Sequence, residues 1–347
     1  MTLHGCKHNL KAQHMIDTNI PFEDIQSFGQ KTMLNSKLFS VSWILARFCN
    51  YDCSYCWPYA KSKTKDHRSL QVYTNTVDEI KRQARSNGFS NFHFSFSGGE
   101  PTAYKDFLKL IQHYSDDKQP AYQSIHMTTN LSPSVKWWQR WLDTTAGLNR
   151  RSITASFHAE FADEQSFGDK ILMLMSHNVF VTINQVMVPT RFNEYFDRCT
   201  RFHSRGINVT LKPQSDPTAS RVIEGYSAKQ IDQMQTGFPQ QIKKGTVIED
   251  LFQIELKDSK GNVYFMDQAE RFNAFGFNKF KGWYCNAGYQ SCIIREPGGE
   301  VKRSYSCHDE PLGNIEQGFK LFDKPNICLT PSCVSSADSK IPKVKHV

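Results

Sequence analysis

From Leu38 to Pro213 the chain alternates strand-like runs with helical patterns, and nothing else in it restricts the fold as much. Strand-like runs fall at 38–47, 92–97, 124–129, 152–158, 179–188 and 207–213. Helical periodicity fills the gaps at 76–88, 104–117, 134–146, 164–177 and 192–205. Such alternation predicts βα units around a parallel sheet. Six strands are too few for a complete eight-unit barrel. Ligands in such folds bind at the C-terminal ends of the strands. The polar residues there are therefore candidates: Thr128, Thr129 and Asn130, then Ser156 and His158, then Asn184, then Lys212 and Gln214.

The first strand runs into Cys49, Cys53 and Cys56, spaced C-x3-C-x2-C. Three thiolates on one short loop can hold three irons of a [4Fe-4S] cube and leave the fourth iron open to a small molecule. Zinc would want a fourth ligand nearby. Trp57, Pro58, Tyr59 and Ala60 offer none, and His67 is the closest alternative. The second strand-like run leads into Gly98-Gly99-Glu100-Pro101-Thr102. Two glycines let backbone approach a ligand closely. Glu100 can accept hydrogen bonds from an ammonium group.

The cysteine spacing, Tyr55 before the third cysteine, and Gly98-Gly99-Glu100-Pro101 together resemble the radical S-adenosylmethionine (SAM) superfamily. The resemblance implies an α/β fold with a partial (β/α)6 barrel over 38–220. It implies a SAM-binding [4Fe-4S] cluster on Cys49, Cys53 and Cys56 as the catalytic centre. Tyr55, Gly98, Gly99, Glu100, Pro101, Asn130, Ser156 and Asn184 are the implied cofactor-binding set. The glycine element would take the methionyl amine, and Ser156 and Asn184 would reach the ribose or carboxylate. His158 and Lys212 are candidates to face substrate.

After residue 220 the pattern changes. A helical stretch runs from Ala228 to Lys244, and a hairpin is expected at 252–256 and 263–265 around Lys260-Gly261-Asn262. Five cysteines follow: Cys285, Cys292, Cys307, Cys328 and Cys333. Cys285-Asn286-Ala287-Gly288, with Gly299-Glu300-Val301, Cys307 and Leu312-Gly313-Asn314-Ile315, is similar to the auxiliary-cluster domains called SPASM and twitch. That resemblance implies a small α+β domain over 221–334, holding an auxiliary [4Fe-4S] cluster on Cys285, Cys307, Cys328 and Cys333. Cys292 is the reserve ligand, and a four-cysteine zinc site is the alternative. Residues 1–37 are expected to form an N-terminal cap and 335–347 a disordered tail. Cys6 and Cys199 are expected to be inert. Trp57 and Trp283 flank the two cysteine groups.

The 347 residues carry a formal net charge of +8, and the run Lys61, Lys63, Lys65, His67, Arg68 reads as a solvated loop. No stretch reaches membrane-spanning length. Ten cysteines without an apolar leader in Met1–His8 suggest metal ligands in a reducing, cytoplasmic compartment. The expected activity is hydrogen abstraction from a small polar substrate, leading to oxidation or epimerisation. A one-electron reductant such as flavodoxin or ferredoxin is the implied partner, rather than a membrane or nucleic acid. Modification of a ribosomally made peptide is an alternative. A non-catalytic, metal-binding, RNA-contacting module is another.

Overall fold

The computed structural model describes residues 21–219, 221–241, 254–266 and 277–346. Cys6 and the segment beyond Gln241 of the expected helix lie outside the described residues. The chain opens with β1 (Ile25–Gln30), α1 (Lys31–Asn35) and β2 (Leu38–Ile44). The βα units follow: α2 (Leu70–Ser86), β3 (Asn91–Ser97), α3 (Phe107–Asp116), β4 (Gln123–Thr129), α4 (Val135–Thr144) and β5 (Arg150–Ser156). They continue with α5 (Glu164–Ser176), β6 (Val179–Met187), α6 (Phe192–Ser204) and β7 (Asn208–Pro213). Next come α7 (Ala228–Thr236), the hairpin β8 (Ile254–Asp258) and β9 (Val263–Met266), and β10 (Tyr284–Cys285). The last elements are β11 (Ser291–Arg295), β12 (Glu300–Lys302), β13 (Gly313–Asn314), β14 (Gly318–Phe319), β15 (Asn326–Ile327), α8 (Ser336–Ser339) and β16 (Lys343–Val344).

The helices start where the sequence supplies caps. Ser69, Ser134 and Asp163 each accept from a backbone N–H of the first turn, which satisfies a donor that has no partner inside the helix. Each helix then buries one stripe. Tyr73, Val77, Ile80 and Ala84 on α2 follow the helical period, as do Phe107, Leu110, Ile111 and Tyr114 on α3.

Strands β2 to β7 form six parallel neighbours in chain order. Strand β11 adds to the free side of β2, also parallel, pairing Ser291 with Ser40 through to Arg295 with Ile44. Strands β12, β13 and β14 extend that edge antiparallel. β14 and β7 end the sheet without pairing to each other, so the barrel is open.

The two faces of this sheet differ. Phe92, Phe94 and Phe96 of β3 are fully buried beneath the helices, while His93, Ser95 and Ser97 alternate onto the other face. The same alternation puts Ser40 and Ser42, then His126 and Thr128, Ser152, Thr154 and Ser156, and Thr182 and Asn184 on the inner face. Parallel strands covered on both faces by apolar layers read as continuous apolar runs. These alternate, because their inner face is a polar lumen.

A second, antiparallel sheet has the order β15-β10-β16-β1-β8-β9. It carries its own core of Ile25, Phe28, Ile254, Leu256, Phe280 and Trp283. One expectation is corrected here. Residues 25–30 form β1, which pairs with β8 and β16 inside this sheet. The segment after Ser335 is not a disordered tail. β16 inserts between β1 and β10, and the buried Lys343 donates from Nζ to the carbonyls of Asp338 and Ile341 at 2.9 and 2.8 Å. Its ammonium also lies over the Phe280 ring, 4.7 Å from the centroid. The lysine-rich composition suggested solvent, but the long apolar stem is packed. Among the described residues, no helix is long and apolar enough to cross a membrane.

Candidate active site

The three-cysteine loop leaves the C-terminal end of β2 and is fastened from three sides. Asp66 accepts from the N–H groups of Arg47 and Phe48, both at 3.1 Å. Ser62 pairs with the same stretch, donating to Arg47 O at 2.8 Å and accepting from Cys49 N at 3.3 Å. A tight turn follows, with Cys56 N donating to Cys53 O at 3.1 Å. The basic run is not simply solvated: Lys61 pairs with Asp52 at 2.7 Å, and Arg68 with Glu296 and Glu316.

The second fastening is the glycine element. Gly99 N donates to Ala46 O at 2.9 Å and Glu100 N to Phe48 O at 2.8 Å. A Cβ on Gly98 would collide with the Ala46 carbonyl, and one on Gly99 with the carbonyls of Arg47 and Phe48. Gly98 also sits at φ +140°, which side chains rarely adopt. The close approach that these glycines allow is therefore to the backbone of the cysteine loop. Glu100 is buried. Its carboxylate accepts from Thr102 N (3.0 Å), Thr102 Oγ1 (2.6 Å), Thr129 Oγ1 (2.8 Å) and Asn130 N (2.6 Å). Four donors fill the acceptor capacity of a carboxylate. Burial pushes the carboxyl upward, and those hydrogen bonds pull it back down. Glu100 thus ties the end of β3 to the end of β4. Asn130 continues the tie, donating to Asn50 Oδ1 in the cysteine loop at 2.9 Å.

The third fastening was not visible in the sequence. The segment after β5 clamps the loop with three consecutive contacts. His158 Nδ1 shares a 2.8 Å hydrogen bond with Tyr55 Oη. Glu160 accepts from Ser54 N at 2.9 Å and Ser54 Oγ at 2.5 Å. Phe161 stacks on Tyr51 at 4.8 Å. Burial holds His158 neutral, down to about 4. His158 thus faces the cysteine loop. Ser156 and Asn184 lie side by side in register on the inner face, and neither side chain bonds elsewhere in the described protein. Lys212 is half-buried on the same face of β7. Trp57 is exposed and stacks on Tyr59.

The three thiols sense one another. Cys53 lies within electrostatic reach of both Cys49 and Cys56, and burial pushes it up to about 12. Burial also raises Cys49 and Cys56, against nearby Lys63 and Lys61 respectively. Among the described residues, no three His, Cys, Asp or Glu side chains converge as a single metal ion would require. A cube asks for a different arrangement, one thiolate at each of three corner irons. Three adjacent thiols on one fastened loop fit that donor set.

The C-terminal cysteines divide in the same terms. Cys285 acts electrostatically on Cys307, Cys328 and Cys333, and Cys328 also feels Cys307. Burial raises all three of these thiols, while Lys343 lowers Cys328 and Cys333. Cys292 is apart: it lies in register with Val41 in the main core, raised to about 12 by burial alone. Cys199 is likewise fully buried in that core. Trp283 packs in the second core beside Cys285, Cys328 and Cys333.

Fold and loop together define an α/β protein that presents three thiols above the polar lumen of an open parallel barrel. The radical SAM superfamily model matches residues 43–212, and the chain belongs to that superfamily. Among curated relatives, the GTP 3',8-cyclase of Klebsiella pneumoniae (strain 342) is 28% identical over 132 residues, 35% of this chain and 37% of that protein. The GTP 3',8-cyclase of Haemophilus ducreyi is 33% identical over 102 residues, 28% of each chain. The match thus spans well under half of these relatives' length. Among solved structures, anSMEcpe with bound AdoMet aligns over 81% of this chain and 76% of its own, with TM-score 0.51 and 16% identity. The same protein with bound AdoMet and Cp18Cys peptide aligns over 81% and 78%, with TM-score 0.50 and 16% identity. At these identities the likeness establishes the shared fold.

Proposed function

We propose that this protein cleaves SAM reductively at a [4Fe-4S] cluster held by Cys49, Cys53 and Cys56, and uses the resulting radical to abstract hydrogen from a small polar substrate. The observation that carries the reading is the position of the three thiols. They stand at the C-terminal strand ends, triply fastened, above an inner face of hydroxyl, amide and imidazole groups. When bound, the cluster and SAM supply a 5'-deoxyadenosyl radical; everything else falls to the chain.

Tyr55, Ser54 and Tyr51 are fixed by His158, Glu160 and Phe161, which keeps the loop from moving as its thiols lose their protons. Because the carboxylate of Glu100 is occupied, the methionyl ammonium would meet the backbone of the Gly98-Gly99 turn instead. Ser156 and Asn184 offer a hydroxyl and an amide to the ribose or carboxylate. In this reading Cys285, Cys307, Cys328 and Cys333 hold a fully ligated auxiliary [4Fe-4S] cluster. Four ligands would leave such a cluster no open iron, so the chemistry it would supply is electron acceptance, which suits substrate oxidation.

The test is anaerobic reconstitution with reductant and SAM. Wild type should release 5'-deoxyadenosine, and a Cys49/Cys53/Cys56→Ala triple variant should release none. Equal release from both would end the proposal.

A further inference from the structure

We propose that the inner face beside the cysteine loop binds an anionic group of the substrate, a carboxylate or a phosphoryl group, through Arg295 and Tyr305. The inference rests on the reading that this lumen receives the substrate, and it names what that substrate carries.

Arg295 ends β11, in register with Ile44 at the end of β2. Cys292 and Ile294 of β11 pack outward in the main core. Alternation therefore puts Arg295 on the inner face, at the strand end where the cysteine loop begins. It is exposed, and among the described residues no carboxylate pairs with it. Arg68 and Arg303, by contrast, are each held by carboxylates.

Tyr305 comes from the C-terminal region, two residues before Cys307, and reaches into the lumen. Its hydroxyl lies 3.0 Å from Ser42 Oγ on β2. It lies within electrostatic reach of Arg295. Its backbone is fixed by Asp338, whose carboxylate accepts from Tyr305 N at 3.2 Å and Ser306 N at 2.6 Å. The residue nonetheless stays 37% exposed. An anchored residue that is still accessible can be reached by a ligand.

The inner face itself supplies cations and no carboxylate. At the cysteine-loop end, β7 and β11 put Lys212 and Arg295 there, among serines and threonines. The acidic groups at or beside the loop are engaged: Asp52 by Lys61, Asp66 by the Arg47 and Phe48 N–H groups, Glu160 by Ser54, Glu100 by four donors, and Glu296 by Arg68. A cationic, hydroxyl-lined wall without a competing carboxylate favours an anion, and a guanidinium with a phenol beside it can bind two of its oxygens.

The test uses reconstituted, SAM-loaded protein at constant ionic strength, titrated with pyrophosphate and, separately, with succinate. One probe should bind at one site per chain. Arg295→Gln should weaken that binding about tenfold, as the loss of a charge-assisted contact implies, and Tyr305→Phe by a few-fold. Arg140→Gln, on the exposed face of α4, should leave binding unchanged. Preference for pyrophosphate would assign a phosphoryl group, and preference for succinate a carboxylate. Absence of binding in wild type, or equal binding in Arg295→Gln, would overturn the site. 5'-Deoxyadenosine release is measured on the same wild-type preparation. Release without anion binding sinks this inference and leaves the radical reading standing. Binding without release does the reverse.

Discussion

Cys49, Cys53 and Cys56 share one short loop, whereas Cys285, Cys307, Cys328 and Cys333 come from separate segments that the fold must gather. In the first group the spacing alone keeps the thiols close, and tertiary structure only fastens them. In the second, Cys285 sits on β10, Cys328 follows β15, and Cys307 follows the Tyr305 loop. Their proximity depends on two-residue strands and on β16 wedged between β1 and β10. A local site should tolerate damage to the second sheet, and a gathered site should not.

The sharpest way to break this contrast is to attack the fastening of the local group. Gly99→Ala forces a methyl into the carbonyls of Arg47 and Phe48. It should destabilise the protein by about 3 kcal/mol, the upper range for overpacking, as read by urea denaturation. It should also loosen the first cysteine group while sparing the second. Lys343→Ala is the converse. It strands two buried carbonyls and should cost about 2 kcal/mol in the same measurement, with the loss centred on the gathered cysteines.

What could be read from sequence follows the same division. The βα alternation was legible because each element carries its own period, and the strands and helices from Leu38 to Pro213 lie close to where that period puts them. The hairpin of β8 and β9 was legible from Gly261 and the flanking apolar runs. The roles of Gly98 and Gly99 were not, since their partners are Ala46, Arg47 and Phe48 on another strand end. The His158–Phe161 clamp has no local signature either. The placement of β1 and β16 was illegible because short strands take their identity from their neighbours, and Lys343 looked like a solvent residue.

Two smaller effects refine the comparison between the polar inner face and the apolar outer one. His93 and His126 are held neutral on the inner face, down to about 3 and about 4, by burial first of all. His93 Nδ1 bonds with Ser124 at 2.8 Å and His126 Nδ1 with Ser152 at 2.9 Å. For a histidine with a depressed folded value, the unfolded chain takes up protons first as pH falls. Stability should therefore be level above about pH 6.5 and decline from there toward pH 4. A thermal melt series should show that decline, and His126→Gln should flatten part of it. An unchanged slope in that variant would remove His126 from the explanation. Tyr55→Phe is the mildest change. It deletes one hydrogen bond to a neutral imidazole and should cost about 1 kcal/mol by chemical denaturation.

The most direct measurement of the whole account is iron content after anaerobic reconstitution, on wild type and on the Cys49/Cys53/Cys56→Ala variant. Two cubes require about eight irons per wild-type chain, with about four surviving in the variant. About four irons in wild type, all lost in the variant, would leave the gathered cysteines to zinc or to nothing, and the electron-acceptor role would go with them. Iron binding that the triple substitution leaves untouched would contradict the account at its centre.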